Sequence, residues 1–322
     1  MYRSWHLMDH EGDGLLLRQM GDHDDAGLPL TGDELQAAAK EVALPGTEEV
    51  LPLFRQPFCQ QVANGDEIAM SLVQEAGLKI AGLLTNEQWQ DRKSEQECNF
   101  ARCPSAGQTK QFSMGGSDDD ASRNEGPVHP IRVRQPFWLQ AGQVTKEQFS
   151  LFDAEYLSAT KEMLDQYAKH PNCPAIEVTW YDAFCFAKWI GGRLPTETEW
   201  EYACRAGTTG PWCCAVEKLK EYAWIRKPKT NPTRQLQPNS WQLYDMHGNV
   251  AEWCWDWYNV SHYQTRVDRD RQDDEGGPRS GSSRVLRGGN FRDFPRFCRS
   301  SFRDVDGPVY HGYGIGFRVV RD

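Results

Sequence analysis

The chain has 322 residues, 39% hydrophobic and 25% charged, enough for one large core or one core with a smaller satellite unit. A net charge of -10 leaves no phosphate-neutralising basic stripe, which excludes a general nucleic-acid binder and disfavours an anionic membrane surface. No apolar run reaches membrane-spanning length and the opening MYRSWHLMDHEGDGLLLRQ lacks a secretion-signal layout, so the expected address is cytoplasmic, with most of the 10 cysteines as reduced thiols.

From Leu30 to Glu95 the pattern is helical. TGDELQAAAKEV opens on Thr31 as a cap, and GDEIAMSLVQEAGLKIAGLL spaces apolar residues by three and four. Residues 1–105 are expected to form a partly helical N-terminal unit of unassigned role. Cys98 to Gly126 is polar and glycine-rich, runs through the acidic loop GGSDDDASRNEG, and leads into a second unit over 106–322. There, short β-type runs (PIRVR, RVLRGG, GFRVV), many tryptophans and few helical stretches predict an α+β domain rich in irregular segments.

Within that unit, one helix is expected to begin near Trp180. In RLPTETEW, Thr196 caps a second helix and Glu199 completes the capping box, with Trp200, Tyr202 and Ala203 turned to the core. Gly288 and Gly289 are expected where the backbone takes positive φ or passes close to another element. Arg299, Arg303 and Arg318 are read as guanidinium forks that pin carboxylates and loop carbonyls. In DMHGNVAE, Asp245 and Glu252 offer hard carboxylate oxygens, and the turn between them can aim the carbonyls of Gly248 and Val250 at the same point, which is calcium chemistry. The plain alternative is that both carboxylates hydrogen-bond loop amides.

Four segments occur in a defined order: FSMGGSDDDASRNEGPVHPIRVRQPFWLQAGQVTKEQFSLF; VTWYDAFCFAKWIGGRLPTETEWEYACRAG; NSWQLYDMHGNVAEWCWDWY; and RVLRGGN followed by RSSFR and GIGFRVVRD. Together they resemble the formylglycine-generating-enzyme, or sulfatase-modifying-factor, family. The resemblance implies a C-type lectin fold of the formylglycine-generating-enzyme type, with calcium at Asp245, Gly248, Val250 and Glu252.

It also implies copper-dependent oxidation of a substrate cysteine, by a copper ion held between two cysteines beyond the paired glycines. Copper(I) demands soft thiolates. In NFRDFPRFCRSSFR only Cys298 is present, and Asp293 stands where the first thiolate is expected, so a two-thiolate site cannot be assembled. Iron-dependent sulfoxide synthases join this fold to a helical domain with an HxxxHxE motif, which His6, His10 and Glu11 match only in part, because Gly12 holds the motif's Glu position. His129, His170, His247, His262 and His311 lie in unrelated loops with no nucleophile elbow beside them.

From Gly281 to Asp322 the chain has no Lys, Gln, Glu, Met or Trp. Codons ending in a pyrimidine cannot encode those residues. The segment over about 286–318 resembles the variable region of diversity-generating-retroelement target proteins, non-enzymatic binders built on the same lectin fold. Pro295, Arg296, Cys298, Arg299, Ser300, Arg303, Gly316 and Phe317 are expected as scaffold. Phe291, Arg292, Asp293, Phe294, Phe297, Phe302, Asp304, Asp306, Tyr310, His311 and Tyr313 are expected to face a ligand. The expected function is non-catalytic binding of a macromolecule, foremost a protein, with a metal-dependent oxidase as the alternative.

Overall fold

The computed structural model describes residues 100–105, 111–117, 120–153, 155–269 and 276–321. The helical expectation for Leu30 to Glu95, and His6, His10 and Glu11, lie outside them. The first strand, β1 (Phe100–Cys103), buries Ala101 and Cys103 and leaves Arg102 exposed, the period of two that a half-buried strand requires. β2 (Phe112–Met114) and β3 (His129–Ile131) form an antiparallel pair that brackets the acidic loop. β4 (Phe137–Gln140) pairs antiparallel with β1, Cys103 opposite Phe137. β1, which lies ahead of the boundary expected after residue 105, is thus paired with a strand of the second unit.

Five helices follow: α1 (Lys146–Phe152), α2 (Tyr156–Ala159), α3 (Lys161–Tyr167), α4 (Trp180–Trp189) and α5 (Glu197–Arg205). α4 starts where expected, and α5 carries the expected box, Thr196 accepting from Glu199 N while the Glu199 carboxylate accepts from Thr196 N. The remaining elements are β5 (Ala223–Trp224), β6 (His247–Gly248), β7 (Ala251–Trp257), α6 (His262–Asp268), β8 (Arg284–Arg287), β9 (Arg303–Asp306), β10 (Ile315–Gly316) and β11 (Val320–Arg321).

The strands arrange as β1-β4-β11 and β10-β7-β8-β9, with the short pairs β2-β3 and β5-β6. β10 runs parallel to β7, while β8 runs antiparallel to both β7 and β9. β11 returns the chain to β4, so the last described strand closes the sheet that the first one opened. This mixed architecture is the α+β class expected.

Large rings fill the core, and the fully buried indoles of Trp180, Trp200 and Trp253 each find an acceptor. Trp180 Nε1 donates to Cys254 O at 2.8 Å, Trp253 Nε1 to Val178 O at 3.1 Å and Trp200 Nε1 to the Glu252 carboxylate at 2.7 Å. Buried ion pairs then tie distant segments together. The Glu197 and Glu201 carboxylates of α5 receive Arg287 of β8, and Glu197 also receives Arg303 of β9. Arg299 grips Glu125 at the end of the acidic loop.

Cys103, Cys173, Cys204, Cys213, Cys214, Cys254 and Cys298 are free thiols. Cys185 is disulfide-bonded. Among the described residues no helix is long and apolar enough to cross a membrane.

Candidate ligand-binding surface

The segment between β8 and β10 is tied to the body at short intervals. Gly288 and Gly289 have φ of 93° and 66°. A Cβ on Gly289 would meet Phe297 O at 2.5 Å and Cys298 Sγ at 2.6 Å, so the chain can pass here only as glycine. Beyond it, Phe291 N donates to Asn249 O, Arg226 N to Asp293 O and Ser300 N to Pro211 O. His247 Nδ1 donates to Cys298 O at 2.8 Å.

Scaffold and surface residues then separate. Cys298, Arg299, Ser300, Arg303, Gly316 and Phe317 are buried. Arg299 donates to both Glu125 oxygens, at 2.7 and 2.8 Å, and Ser301 Oγ adds a further bond to Glu125 Oε2 at 2.8 Å. Arg292, Phe294, Asp304 and Tyr310 are exposed, while Asp293, Phe297, Phe302, Asp306, His311 and Tyr313 are half-buried.

Two assignments change. Phe291 is fully buried, its ring centroid 6.1 Å from those of both Tyr167 and Tyr313, so it supports the surface from beneath and cannot face a ligand. Arg296, expected as scaffold, is exposed; only its carbonyl serves the scaffold, accepting from Arg299 Nε at 2.8 Å. Pro295 opens the 3-10 turn Pro295–Cys298 and is half-buried.

The structure also recruits residues that the sequence reading passed over. Tyr167, at the end of α3, stacks on Tyr313 at 4.6 Å and 28°, and Arg292 bridges the pair by donating to the Tyr313 hydroxyl at 3.0 Å and the Tyr167 hydroxyl at 3.2 Å. The guanidinium groups of Arg226 and Arg296 lie 5.2 and 5.9 Å from the Phe294 ring, which is 52% exposed. His311 Nδ1 sits 2.9 Å from Glu177 Oε2. No local pattern marks Tyr167, Glu177 or Arg226, because each arrives from a separate loop or helix end. The assembled face offers rigid rings, adaptable cations and a few carboxylates.

The residues nominated for calcium do converge. The carbonyls of Asp245, Gly248 and Val250 and Glu252 Oε1 surround one point, but Gln143 Nε2 fills it, at 3.3, 3.3, 3.0 and 2.9 Å. Glu252 is also paired with Arg318, whose Nε and Nη2 donate to Oε2 at 2.6 Å and Oε1 at 2.7 Å. Asp245 Oδ2 accepts from Arg234 N at 2.8 Å, the loop-amide role of the plain alternative. Burial pushes the Asp245 carboxyl up to about 6 against that bond. Calcium needs oxygens at about 2.3–2.6 Å around an open centre. With Gln143 in place, the residues present do not fit it.

The domain described as "Sulfatase-modifying factor enzyme 1-like" matches residues 105–322. The chain belongs to that family. A curated relative, the serine/threonine-protein kinase pkn1 of Chlamydia pneumoniae, is 33% identical over 234 residues, which cover 66% of this chain and 36% of that protein. The chain thus spans about a third of the first relatives it matches. The formylglycine-generating enzyme of Mus musculus is 34% identical, with 66% of this chain and 73% of that protein covered. The solved Treponema denticola variable protein 1 matches with a TM-score of 0.55 at 23% identity, over 69% of this chain and 94% of that one, which shows a shared fold, the expected lectin-type framework.

In this family's frame, Asp293 and Cys298 stand where the resemblance places two copper thiolates. Asp293 is a hard oxygen ligand already accepting from Asn290 N at 2.8 Å. The Cys298 thiol is held well above its ordinary pKa by burial, with Asp293 and Cys204 adding to the effect. Cys204, beside it, is pushed up to about 12 by burial. Burial thus disfavours the thiolate form of both sulfurs when no metal is bound.

Proposed function

We propose that this domain is a non-catalytic binding module that presents its C-terminal surface to a macromolecular ligand, foremost a protein, in the manner of diversity-generating-retroelement target proteins. The supporting observation is the sorting of residues 290–313: backbone, Cys298, Arg299 and Arg303 turn inward, while Arg292, Phe294, Arg296, Asp304 and Tyr310 turn outward. Such a layout lets the outer residues change at little cost to the fold, since exposed substitutions shift stability by only about 0.5 kcal/mol. The restricted residue alphabet from Gly281 to Asp322 supports the same reading. Aromatic and arginine anchors of this kind carry most of the energy in protein interfaces. The alternative, a metal-dependent oxidase of the formylglycine-generating or sulfoxide-synthase type, is favoured by the similarity to the mouse enzyme and opposed by Asp293 and the buried Cys298.

Oxygen uptake distinguishes the two. The protein, loaded with copper or iron and given cysteine-containing peptides, is expected to consume no oxygen beyond a protein-free control; sustained turnover would overturn the proposal. On a protein array, the Phe294→Ala, Tyr310→Ala double variant should lose the wild-type signals while its Tm stays within about 3 °C. Signals that survive the substitutions would move the binding surface elsewhere. A reverse transcriptase gene with a near-identical template repeat should neighbour the coding sequence.

A further inference from the structure

Gln143 lies in the loop between β4 and α1, with 2% of the residue exposed. Its amide nitrogen lies within 2.9–3.3 Å of three backbone carbonyls, of Asp245, Gly248 and Val250, and of one carboxylate oxygen of Glu252. Four oxygens facing one centre repel one another unless something positive stands between them. An amide NH2 carries two polarised hydrogens, and only that end of the side chain can face such a ring. The full negative charge that a divalent ion would neutralise is already cancelled, because the Arg318 guanidinium forks onto both oxygens of Glu252 and the Trp200 indole donates to Oε2 at 2.7 Å. What remains is a set of partial charges, which a neutral donor is enough to satisfy.

We propose that Gln143 takes the place of a calcium ion, so that the turn from Asp245 to Glu252 is braced by a side-chain amide and the domain folds independently of calcium. The amide ties the β4–α1 loop to β6 and β7, which lie more than 100 positions further on. The other end of the side chain completes the case. Gln143 Oε1 and Asp245 Oδ1 are buried with no hydrogen-bond partner among the described residues. A carboxylate at 143 would place a negative oxygen against the ring, and these spare oxygens would then favour a cation. A single substitution should turn the neutral plug into a metal site.

The test uses the full chain as wild type, Gln143→Glu and Gln143→Ala, each stripped with chelator and melted with and without millimolar calcium chloride. Wild type is expected to show the same Tm in both conditions and no heat on calcium titration. Gln143→Glu should melt lower in chelator and recover several degrees with calcium, which magnesium at equal concentration should not reproduce. Gln143→Ala should lose at least about 4 °C whether or not calcium is present. Calcium heat or a calcium-dependent Tm in wild type would overturn the proposal. So would an alanine variant as stable as wild type. The wild-type and alanine arms decide the matter even if the glutamate variant fails to fold. Loss of ligand binding elsewhere on the domain would leave all of these readings unchanged.

Discussion

At the scale of single residues, Glu197 shows how this domain uses buried charge. Its Oε1 accepts from Arg303 Nε at 2.6 Å, Arg287 Nη1 at 2.9 Å and the Tyr263 hydroxyl at 3.2 Å, and Oε2 accepts from Arg303 Nη2 at 2.8 Å. Burial alone would raise its pKa, but Arg303 and Arg287 overcome that and lower it to about 2. Glu197→Gln would leave the Arg303 guanidinium in the interior with no carboxylate bonded to it, a change that costs about 3–5 kcal/mol when a buried pair is broken from one side. The loss should appear as a lower urea midpoint at unchanged slope. A fall of under about 1 kcal/mol would show that water reaches the pair and that the segment from β8 to β9 is not held as described. Arg303 was legible as scaffold from its motif. Its partner was not, because 106 positions separate the two and nothing local links them.

At the scale of elements, α5 has only nine residues and is too short to persist alone, so its ends and its packing hold it. Thr196 Oγ1 accepts from Glu199 N at 3.1 Å, and Glu199 Oε2 accepts from Thr196 N at 2.9 Å. Thr196→Ala is expected to cost about 1 kcal/mol, read as a Tm lower by about 2–4 °C. The same threonine box opens α1 with Thr145 and Gln148, and α4 with Thr179 and Asp182. Those two were just as readable, since a cap is a contact across three residues. Strands β10 and β11, of two residues each, lie at the two ends of the single β-type run expected over GFRVV. They exist because β7 and β4 offer them partners, and a pattern of two residues has no period to detect.

At the scale of the whole molecule, the buried charges set the response to acid. Burial, with Arg266 close by, lowers His262 from 6.5 to about 4, and the arginines lower Glu197 from 4.5 to about 2. Each group binds fewer protons folded than unfolded, so each contributes stability above its unfolded pKa and loses it as pH falls through the folded one. Asp245, raised to about 6, works in the opposite sense over the window in which His262 titrates. The steep loss is therefore expected below about pH 4, where Glu197 must be protonated, and Glu125, held low by Arg299 despite its burial, adds to it. Melting curves collected from pH 7 to pH 2 check this, and a Tm still flat at pH 3 would contradict it. The order and spacing of residues by themselves determined the family framework, the helix starts, the paired glycines and the missing second cysteine, because each is written in neighbouring positions. Only the tertiary structure decided that Phe291 goes in while Phe294 stays out, that Tyr167 and Arg226 join the surface, and that Gln143 fills the centre meant for an ion. Burial and convergence depend on which distant segments meet, and that information is absent from any local stretch of chain.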